Sequence, residues 1–327
     1  MIVAPTPQAL AAAAQALRDG ALVAFPTETV YGLGADARNP EALRRLFAAK
    51  GRPAEHPVIV HVANKAAAMR WARMPPEYAD TLADAFWPGP LTLILPRAEG
   101  VPDQVTGGQA SVGLRVPAHP VAQALLAAFA ELGGDGIAAP SANRFGHISA
   151  TTARHVADDF GDEVALILDA GPCAHGLEST IVDCTREAPT LLRPGAIGVA
   201  ELTRVLGTAP GTASENSPRA SGTLATHYAP QTRSRMLARD ALRDALAHLG
   251  GPGAHIAVLA HSMAQPPAFE GTWFDAPSES ALYAHQLYSN LRALDAREAD
   301  EIWIEAPPDG PDWIAVNDRL RRATHRD

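Results

Sequence analysis

The chain has 327 residues, enough for about two domains at ~150 residues each. Hydrophobic residues make up 47%, charged residues make up 19%, and the net charge is −9. This composition excludes disordered, collagen-like and coiled-coil chains, and two cysteines exclude a disulfide framework or a four-thiolate zinc site. No run reaches the ~18 apolar residues of a membrane span, and no basic segment of a signal peptide opens the chain, so we expect a cytoplasmic protein without membrane association.

Short apolar runs alternate with helical patterns over the first two thirds of the chain. The apolar runs predict strands at 21–25, 58–62, 91–95, 112–116, 136–139, 164–168, 180–183 and 190–193. Helices are predicted at 7–18, 40–49, 64–73, 76–86, 120–132, 151–159 and 199–206. Helix 40–49 has the clearest boundary, because Asn39 can cap it and Pro40 suits its first position. The mixture predicts an α/β fold whose sheet is partly parallel and too strand-rich for a simple doubly wound fold.

The composition changes at 207–223, where small, polar and turn-forming residues predict a flexible linker. Beyond it, strands are predicted at 233–238, 255–261, 272–275 and 301–305, and helices at 239–249, 278–297 and 311–323. We therefore expect a first domain at 1–206, a linker at 207–232, and a smaller α/β domain at 233–327.

Two motifs have both a structural and a ligand-binding interpretation. Lys50-Gly51-Arg52 is typical of a helix C-terminus, but two cations stiffened by Pro53 are also what a triphosphate requires. Ser141 and Asn143 follow a short strand, where they could cap a turn or hold a nucleotide's phosphate or ribose. The chain contains no P-loop sequence, and its Gly32-Leu-Gly34 string is separated from the preceding strand, which makes a dinucleotide fingerprint a weak interpretation.

Other polar residues lie where apolar ones are expected. Arg115 occurs in an apolar strand, so it is expected to meet a carboxylate or to point into a cavity. Glu178-Ser179-Thr180 places hydroxyls at the start of a strand, and His227-Tyr228 follows the linker directly. Cys173-x-His175 lacks a second ligand pair, which favours packing over metal binding, and no nucleophile elbow G-x-S-x-G occurs.

Six motifs occur in the order found in one enzyme family. They are Pro26-Thr-Glu-Thr-Val-Tyr-Gly-Leu-Gly34, Lys50-Gly-Arg-Pro53, Arg115-Val-Pro117, Pro140-Ser-Ala-Asn143, Glu178-Ser-Thr-Ile181 and Leu192-Arg-Pro-Gly195. Residues 5–205 thereby resemble the YrdC-like threonylcarbamoyl-AMP synthases. The long form of that family is resembled by three later segments: Ser221-Gly-Thr-Leu224, His227-Tyr-Ala-Pro230 and Ala315-Val-Asn-Asp-Arg-Leu320. The resemblance implies a twisted, open, mixed sheet with a concave ligand cavity, followed by a smaller Rossmann-like α/β domain.

The resemblance also implies a nucleotidyltransferase that makes threonylcarbamoyl-AMP and pyrophosphate from L-threonine, bicarbonate and ATP. The product serves the threonylcarbamoylation of the tRNA adenosine next to the anticodon. Lys50 and Arg52 would be catalytic, and Mg²⁺ would accompany ATP, with no metal site of the protein's own. The implied ATP-binding residues are Lys50, Arg52, Ser141, Asn143, Ser149, Arg193 and Tyr228, and the implied threonine-binding residues are Thr27, His61, Arg115 and Ser179.

Two other functions compete with this one. A concave basic surface could bind double-stranded RNA, including tRNA, although the net charge of −9 disfavours extended RNA binding. A carbamoyl-transfer domain is the other alternative, but the acylphosphatase and zinc-finger modules that accompany such domains are missing. We also expect the linker to cover the site as a lid that carries Tyr228, and the product to be handed to a tRNA threonylcarbamoyl transferase.

Overall fold

The computed structural model describes residues 1–249 and 255–325. The chain divides into two compact units. Unit 1 comprises Met1–Phe145 and Ser149–Thr223, and unit 2 comprises Gly146–Ile148 and Leu224–Asp327. The boundary after Thr223 falls inside the predicted linker. Within the described ranges, no helix is both long enough and apolar enough to cross a membrane.

Unit 1 is built on a mixed sheet. Its strands are β1 (Ile2–Val3), β2 (Val23–Phe25), β3 (Gly32–Asp36), β4 (Ile59–His61), β5 (Leu91–Pro96), β6 (Ser111–Arg115), β7 (Ile137–Ala138), β8 (Leu166–Leu168), β9 (Thr180–Asp183), β10 (Thr190–Arg193) and β11 (Gly211–Thr212). They lie side by side in the order β1-β8-β2-β3-β7-β4-β6-β5-β9-β10-β11. Parallel pairs such as β4 with β6 and antiparallel pairs such as β5 with β6 both occur, which confirms the predicted mixed α/β fold.

The helices of unit 1 mostly follow the sequence patterns. They are α1 (Pro7–Arg18), α2 (Pro40–Lys50), α3 (Lys65–Ala68), α4 (Glu77–Phe86), α5 (Asp103–Thr106), α6 (Pro120–Glu131), α7 (Ala153–Phe160) and α8 (Val199–Leu206). The predicted helix 64–73 is wrong in extent, because the chain leaves the helix after Ala68. There the Trp71 indole donates to Asp135 O at 3.3 Å, and Ala72 bridges to Arg97. These tertiary contacts outweigh the local helical pattern.

Strand β3 was not predicted, because its sequence Gly-Leu-Gly-Ala-Asp lacks the β-branched residues that mark strands. Its glycines allow close packing. A Cβ atom on Gly34 would lie 2.9 Å from Ile137 Cγ2 and 3.0 Å from the Phe25 ring, closer than neighbouring carbons approach. The glycine string therefore has a packing role in the centre of the sheet.

The two faces of the sheet have different partners. On one face Leu33, Val60, Leu93 and Leu114 join the large core, together with residues of α2, α4, α7 and α8. On the other face α1 and α6 cover the β2–β3–β7 side, around Phe25 and Ile137. Further along that second face, Ile59, Ile94, Ile181 and Leu192 form a separate cluster covered by Ala220. The side chains of His61, Thr92 and Arg115 lie on this same face of the sheet, beside the isoleucine cluster.

Part of the predicted linker contributes to unit 1. Gly211 and Thr212 form β11 and pair in parallel with β10, and Ala220 is 6% exposed against the isoleucine cluster. The composition predicted a flexible tether without fixed contacts. The strand pairing and the burial of Ala220 depend on partners outside the segment, so the composition of the segment could not predict them.

Unit 2 has a parallel sheet. Its strands β12 (Arg233–Leu237), β13 (Ile256–Ala260), β14 (Thr272–Asp275) and β15 (Glu301–Glu305) lie in the order β12-β15-β13-β14. Its helices are α9 (Arg239–Ala247), α10 (Ser280–Asp295) and α11 (Ile314–Thr324). All pairs of strands in this sheet are parallel, which confirms the predicted Rossmann-like α/β unit.

Candidate active site

Helix α2 places the side chain of Lys50 against the loop that follows β7. Asn39 caps the helix by accepting from the backbone N–H of Glu41 at 3.0 Å, and Gly51 ends it with φ 63°. Lys50, in the last turn, is 2% exposed, and its Nζ donates to Ser141 O at 2.7 Å and to Asn143 O. Three of the predicted ATP-binding residues are therefore together.

Lys50 has an unusual electrostatic environment. Burial, and then the charge of Arg52, hold the pKa of the Lys50 amine well below its ordinary value. Its bonding partners Ser141 and Asn143 offer neutral carbonyls, which do not compensate for the charge. An anionic ligand at this place would favour the charged amine.

A row of polar side chains lies on the sheet face beside the isoleucine cluster. His61 and Arg115 are partners across β4 and β6. The register of β5 on β6 makes Thr92 the neighbour of Arg115, and the Thr92 hydroxyl is 2.8 Å from that of Ser179. Arg193 completes the row, because its Nη2 donates to Ser179 O at 2.9 Å and to Ser179 Oγ at 3.2 Å. We call these residues the polar row: His61, Arg115, Thr92, Ser179 and Arg193.

Arg115 meets a carboxylate, as predicted for an arginine in an apolar strand. Its Nη2 donates to Glu28 Oε1 at 2.7 Å, its Nη1 to Thr29 Oγ1 at 2.8 Å, and its Nε to Gly89 O at 3.3 Å. The side chains of Arg115 and Glu28 are 4% and 10% exposed. Burial alone would raise the pKa of Glu28, but Arg115 and backbone N–H donors outweigh it, and the pKa lies below its usual value. The pair is therefore ionised at neutral pH.

His61 is a buried and neutral imidazole. It is 3% exposed, and burial followed by the nearby Arg115 charge lowers its pKa to about 3. In the described part of the chain, its Nδ1 has no hydrogen-bond partner. Such an orphaned buried nitrogen is costly unless a ligand satisfies it.

Arg52 is joined to Arg193 through Ser221. Arg52 is 8% exposed, and its Nη2 donates to Pro57 O at 2.8 Å and to Ser221 Oγ at 3.4 Å. The Nη1 of Arg193 donates to Ser221 O at 2.9 Å. A residue of the predicted linker thus contacts two arginines that the resemblance assigns to ATP.

The remaining predicted residues are engaged in other contacts. Thr27 accepts from the backbone N–H of Thr29 and of Val30, each at 3.2 Å, so its hydroxyl shapes its own loop. Ser149 is fully buried and donates to Glu178 Oε1 at 2.5 Å. Their predicted roles in ligand binding remain predictions.

Tyr228 belongs to unit 2. It is 1% exposed, and its ring stacks on Tyr288 at a centroid distance of 5.7 Å, with the Arg319 guanidinium 5.1 Å from its centre. Its φ of 61° is left-handed, a conformation that tyrosine rarely adopts, so its packing fixes the backbone at this point. Its predicted contact with ATP remains a prediction.

Sequence reasoning missed four residues of this region: Glu28, Thr29, Thr92 and Ser221. Glu28 and Thr29 lie inside a motif that the sequence singled out, and the need of Arg115 for a carboxylate was a usable signal for Glu28. Thr92 has the weaker signal of a hydroxyl in the apolar strand Leu-Thr-Leu-Ile-Leu. Ser221 lies in the Ser221-Gly-Thr-Leu224 segment that resembles the long form of the family, but nothing in that segment indicates a contact with Arg52 or Arg193.

The donors of this region suit an anion more than a bare metal ion. Within residues 1–249 and 255–325, no group of three or more His, Cys, Asp or Glu side chains is arranged to hold a metal. The basic side chains of this region are those of Lys50, Arg52, Arg115 and Arg193. The hydroxyl of Ser221 contacts Arg52, and that of Ser179 contacts Arg193. Mg²⁺ bound chiefly by phosphate oxygens would fit such a set, because Mg²⁺ keeps water and phosphate ligands in preference to a protein cage.

Comparisons with known proteins cover nearly the whole chain. A family model described as "Telomere recombination" matches residues 15–195, and one described as "Threonylcarbamoyl-AMP synthase, C-terminal domain" matches residues 197–324. The threonylcarbamoyl-AMP synthase of Pyrococcus abyssi is 39% identical over 95% of this chain and 93% of its own length. That of Bacillus subtilis is 37% identical over 96% of this chain and 92% of its own length.

A solved structure extends the similarity to the fold. The crystal structure of P. abyssi Sua5 complexed with L-threonine has a TM-score of 0.88 and 37% identity, and the match covers 96% of this chain and 94% of that one. Both units thus have counterparts in relatives of similar length. The chain belongs to the threonylcarbamoyl-AMP synthase family.

Proposed function

We propose that the polar row and the Lys50 region form the site at which this member of the family joins L-threonine, bicarbonate and ATP into threonylcarbamoyl-AMP and pyrophosphate. The chemistry needs a threonine pocket, a carbamate site and a triphosphate site next to one another. The polar row, together with Lys50 and Arg52, offers hydrogen-bond donors for threonine, for the carbamate and for the triphosphate, and all of these residues belong to unit 1.

The observation that carries the threonine pocket is the orphaned Nδ1 of His61. The threonine hydroxyl would satisfy this nitrogen, and the threonine carboxylate would bind Arg115, the strand partner of His61. The hydroxyl of Ser179, fixed by Thr92 and Arg193, would line the same pocket. Because the His61 pKa is about 3, the imidazole is a neutral hydrogen-bonding group during turnover.

The triphosphate would bind to Lys50, Arg52 and Arg193. In the reaction, a carbamate oxygen formed from threonine and bicarbonate bonds to the α-phosphorus of ATP as the bond to pyrophosphate breaks. Catalysis of this step depends on positioning and on neutralising charge. Mg²⁺ would arrive with the triphosphate and neutralise part of its charge, while Ser141 and Asn143, beside Lys50, would hold the nucleotide.

We further propose a cytoplasmic location, contact with tRNA and transfer of the product to a tRNA threonylcarbamoyl transferase. The support is chemical: ATP and tRNA are intracellular, and a carbamoyl adenylate hydrolyses readily in water. The linker residue Ser221, in contact with Arg52 and Arg193, supports the expectation that the linker restricts access of water to the site.

Pyrophosphate release tests the proposed function. The purified chain, supplied with ATP and Mg²⁺, should release pyrophosphate when L-threonine and bicarbonate are both present and not when either is omitted. Release that depends on added carbamoyl phosphate in place of threonine and bicarbonate would favour the carbamoyl-transfer alternative. Absence of release, together with tight binding of double-stranded RNA, would favour the RNA-binding alternative.

A further inference from the structure

The ion pair between Glu28 and Arg115 has a consequence for the kind of ligand the polar row can accept. Its two side chains are 10% and 4% exposed, and their closest atoms are 2.7 Å apart. A buried arginine that only awaited an anionic ligand would need no such partner. Since Glu28 already neutralises Arg115, the pocket carries no net charge from this pair before a ligand arrives.

Both partners keep unused hydrogen-bonding capacity. Arg115 donates to Glu28, Thr29 and Gly89, which uses three of its five N–H groups. Glu28 accepts from Arg115 on Oε1, from the backbone N–H of Ala118 at 3.1 Å on Oε2, and from its own backbone N–H, which leaves one of the about four acceptor positions of a carboxylate. Each charged group can therefore take one more partner of opposite charge.

The charges of a free amino acid match this arrangement. A carboxylate without an ammonium would bring a net negative charge next to buried Glu28, which is unfavourable at low dielectric. A zwitterion brings both charges at neighbouring atoms and adds no net charge. We propose that Glu28 binds the α-ammonium of threonine while Arg115 binds its carboxylate, so that this pair selects a zwitterionic α-amino acid. This inference rests on the proposed placement of threonine at Arg115.

The lowered pKa of Glu28 agrees with this role. The carboxyl stays ionised over the neutral pH range in which the threonine ammonium is also charged. Neutral His61, beside Arg115, adds no competing positive charge near the ammonium.

The test compares two ligands in two proteins. L-Threonine and (R)-3-hydroxybutyrate share the hydroxyl and the carboxylate, and only threonine has the ammonium. The full chain should bind threonine at least ~10-fold more tightly than (R)-3-hydroxybutyrate in calorimetry, as expected for a lost charge-assisted bond. In Glu28→Gln, which keeps the side-chain shape, threonine binding should weaken and the ratio of the two dissociation constants should fall at least ~10-fold.

A matched control uses another buried carboxylate of unit 1. Asp36 is 3% exposed and pairs with Arg18 at 3.0 Å, away from the polar row. Asp36→Asn should leave the ratio of dissociation constants unchanged. If Glu28→Gln weakens the binding of both ligands equally and the ratio of their dissociation constants is unchanged, the proposal is overturned. Glu28 would then only orient Arg115.

A second measurement uses only the unmodified chain, so it remains informative if Glu28→Gln fails to fold. L-Threoninol keeps the ammonium and hydroxyl of threonine but lacks the carboxylate. The unmodified chain should bind threoninol and (R)-3-hydroxybutyrate each at least ~10-fold more weakly than threonine. Equal binding of (R)-3-hydroxybutyrate and threonine would overturn the proposal even when pyrophosphate release depends on threonine and bicarbonate. Loss of that dependence would instead overturn the proposed function.

Discussion

Replacing Arg52 with alanine is expected to reduce turnover strongly in a protein that still folds. If Arg52 neutralises the charge that develops on phosphate and carbamate, its loss should lower kcat by ~10²–10³-fold, the range found when one transition-state donor is removed. That range corresponds to about 2.7–4 kcal/mol of barrier.

The stability cost follows from the contacts of Arg52. Removing its bond to Pro57 O would cost about 1.5–3 kcal/mol for a charged donor. Ser221 Oγ also donates to Pro57 O, at 2.9 Å, so that carbonyl keeps a partner and the cost lies near the lower end. The contact with the Phe145 ring, at 5.6 Å, adds about 0.5–1 kcal/mol. The variant should therefore fold.

The assay is pyrophosphate release at saturating ATP, threonine and bicarbonate, alongside urea unfolding of the same protein. Arg45→Ala is the matched control, because Arg45, on α2, also donates to a backbone carbonyl, Gly20 O at 2.8 Å, and is not among the predicted ATP-binding residues. It should lose comparable stability with near-normal turnover. A folded Arg52→Ala protein with turnover within threefold of the unmodified chain would refute the catalytic role of Arg52.

Three further predictions concern the substrate, the linker and pH. Valine, which lacks the hydroxyl of threonine, should react at least ~10²-fold more slowly in kcat/KM, because the orphaned nitrogen of His61 would stay unpaired; comparable rates would refute the threonine pocket. A chain ending at Thr223 should keep more pyrophosphate-forming activity than one ending at Leu206, since only the longer one retains Ser221. In the full chain, ATP together with threonine should slow proteolysis within 207–223. Equal activities of the two truncated chains and equal cleavage with and without ligands would indicate a plain spacer. His61, with a folded pKa of about 3 and an ordinary value of 6.5, stays neutral in the native state while the unfolded chain takes up its proton, so native stability falls as pH falls below 6.5. Between pH 6.5 and 5 this loss is about 1.5 kcal/mol, and urea unfolding of His61→Gln should show a loss smaller by that amount; identical losses would contradict the burial of a neutral imidazole.

The elements that sequence predicted well are those whose signals are local. Helix α2 is capped by Asn39, opens with Pro40 and ends at Gly51, and each of these residues acts on its own neighbours in the chain. The buried strands β5, β6 and β9 were likewise marked by short apolar runs. The ordered motifs also identified the family, because their residues are contiguous.

The elements that sequence missed depend on partners far along the chain. Strand β3 has no strand-forming composition, and it becomes a strand because Gly34 lets Ile137 and Phe25 pack against its backbone. Helix α3 stops early because Trp71 is held by a carbonyl of residue 135. In both cases tertiary packing overrides local preference.

The sequence by itself determined the α/β class, the boundaries of the capped helices, the family, and an arginine in need of a carboxylate. Only the tertiary structure decided which carboxylate that is, since Glu28 and Arg115 are 87 positions apart and meet because the sheet places β6 beside the loop after β2. It also decided that Ser221 meets Arg52, 169 positions away, on the face of the isoleucine cluster. Capping and hydrophobic periodicity act between neighbours in the chain, whereas the pairing of buried charges depends on the order of strands in the sheet, which no local pattern specifies.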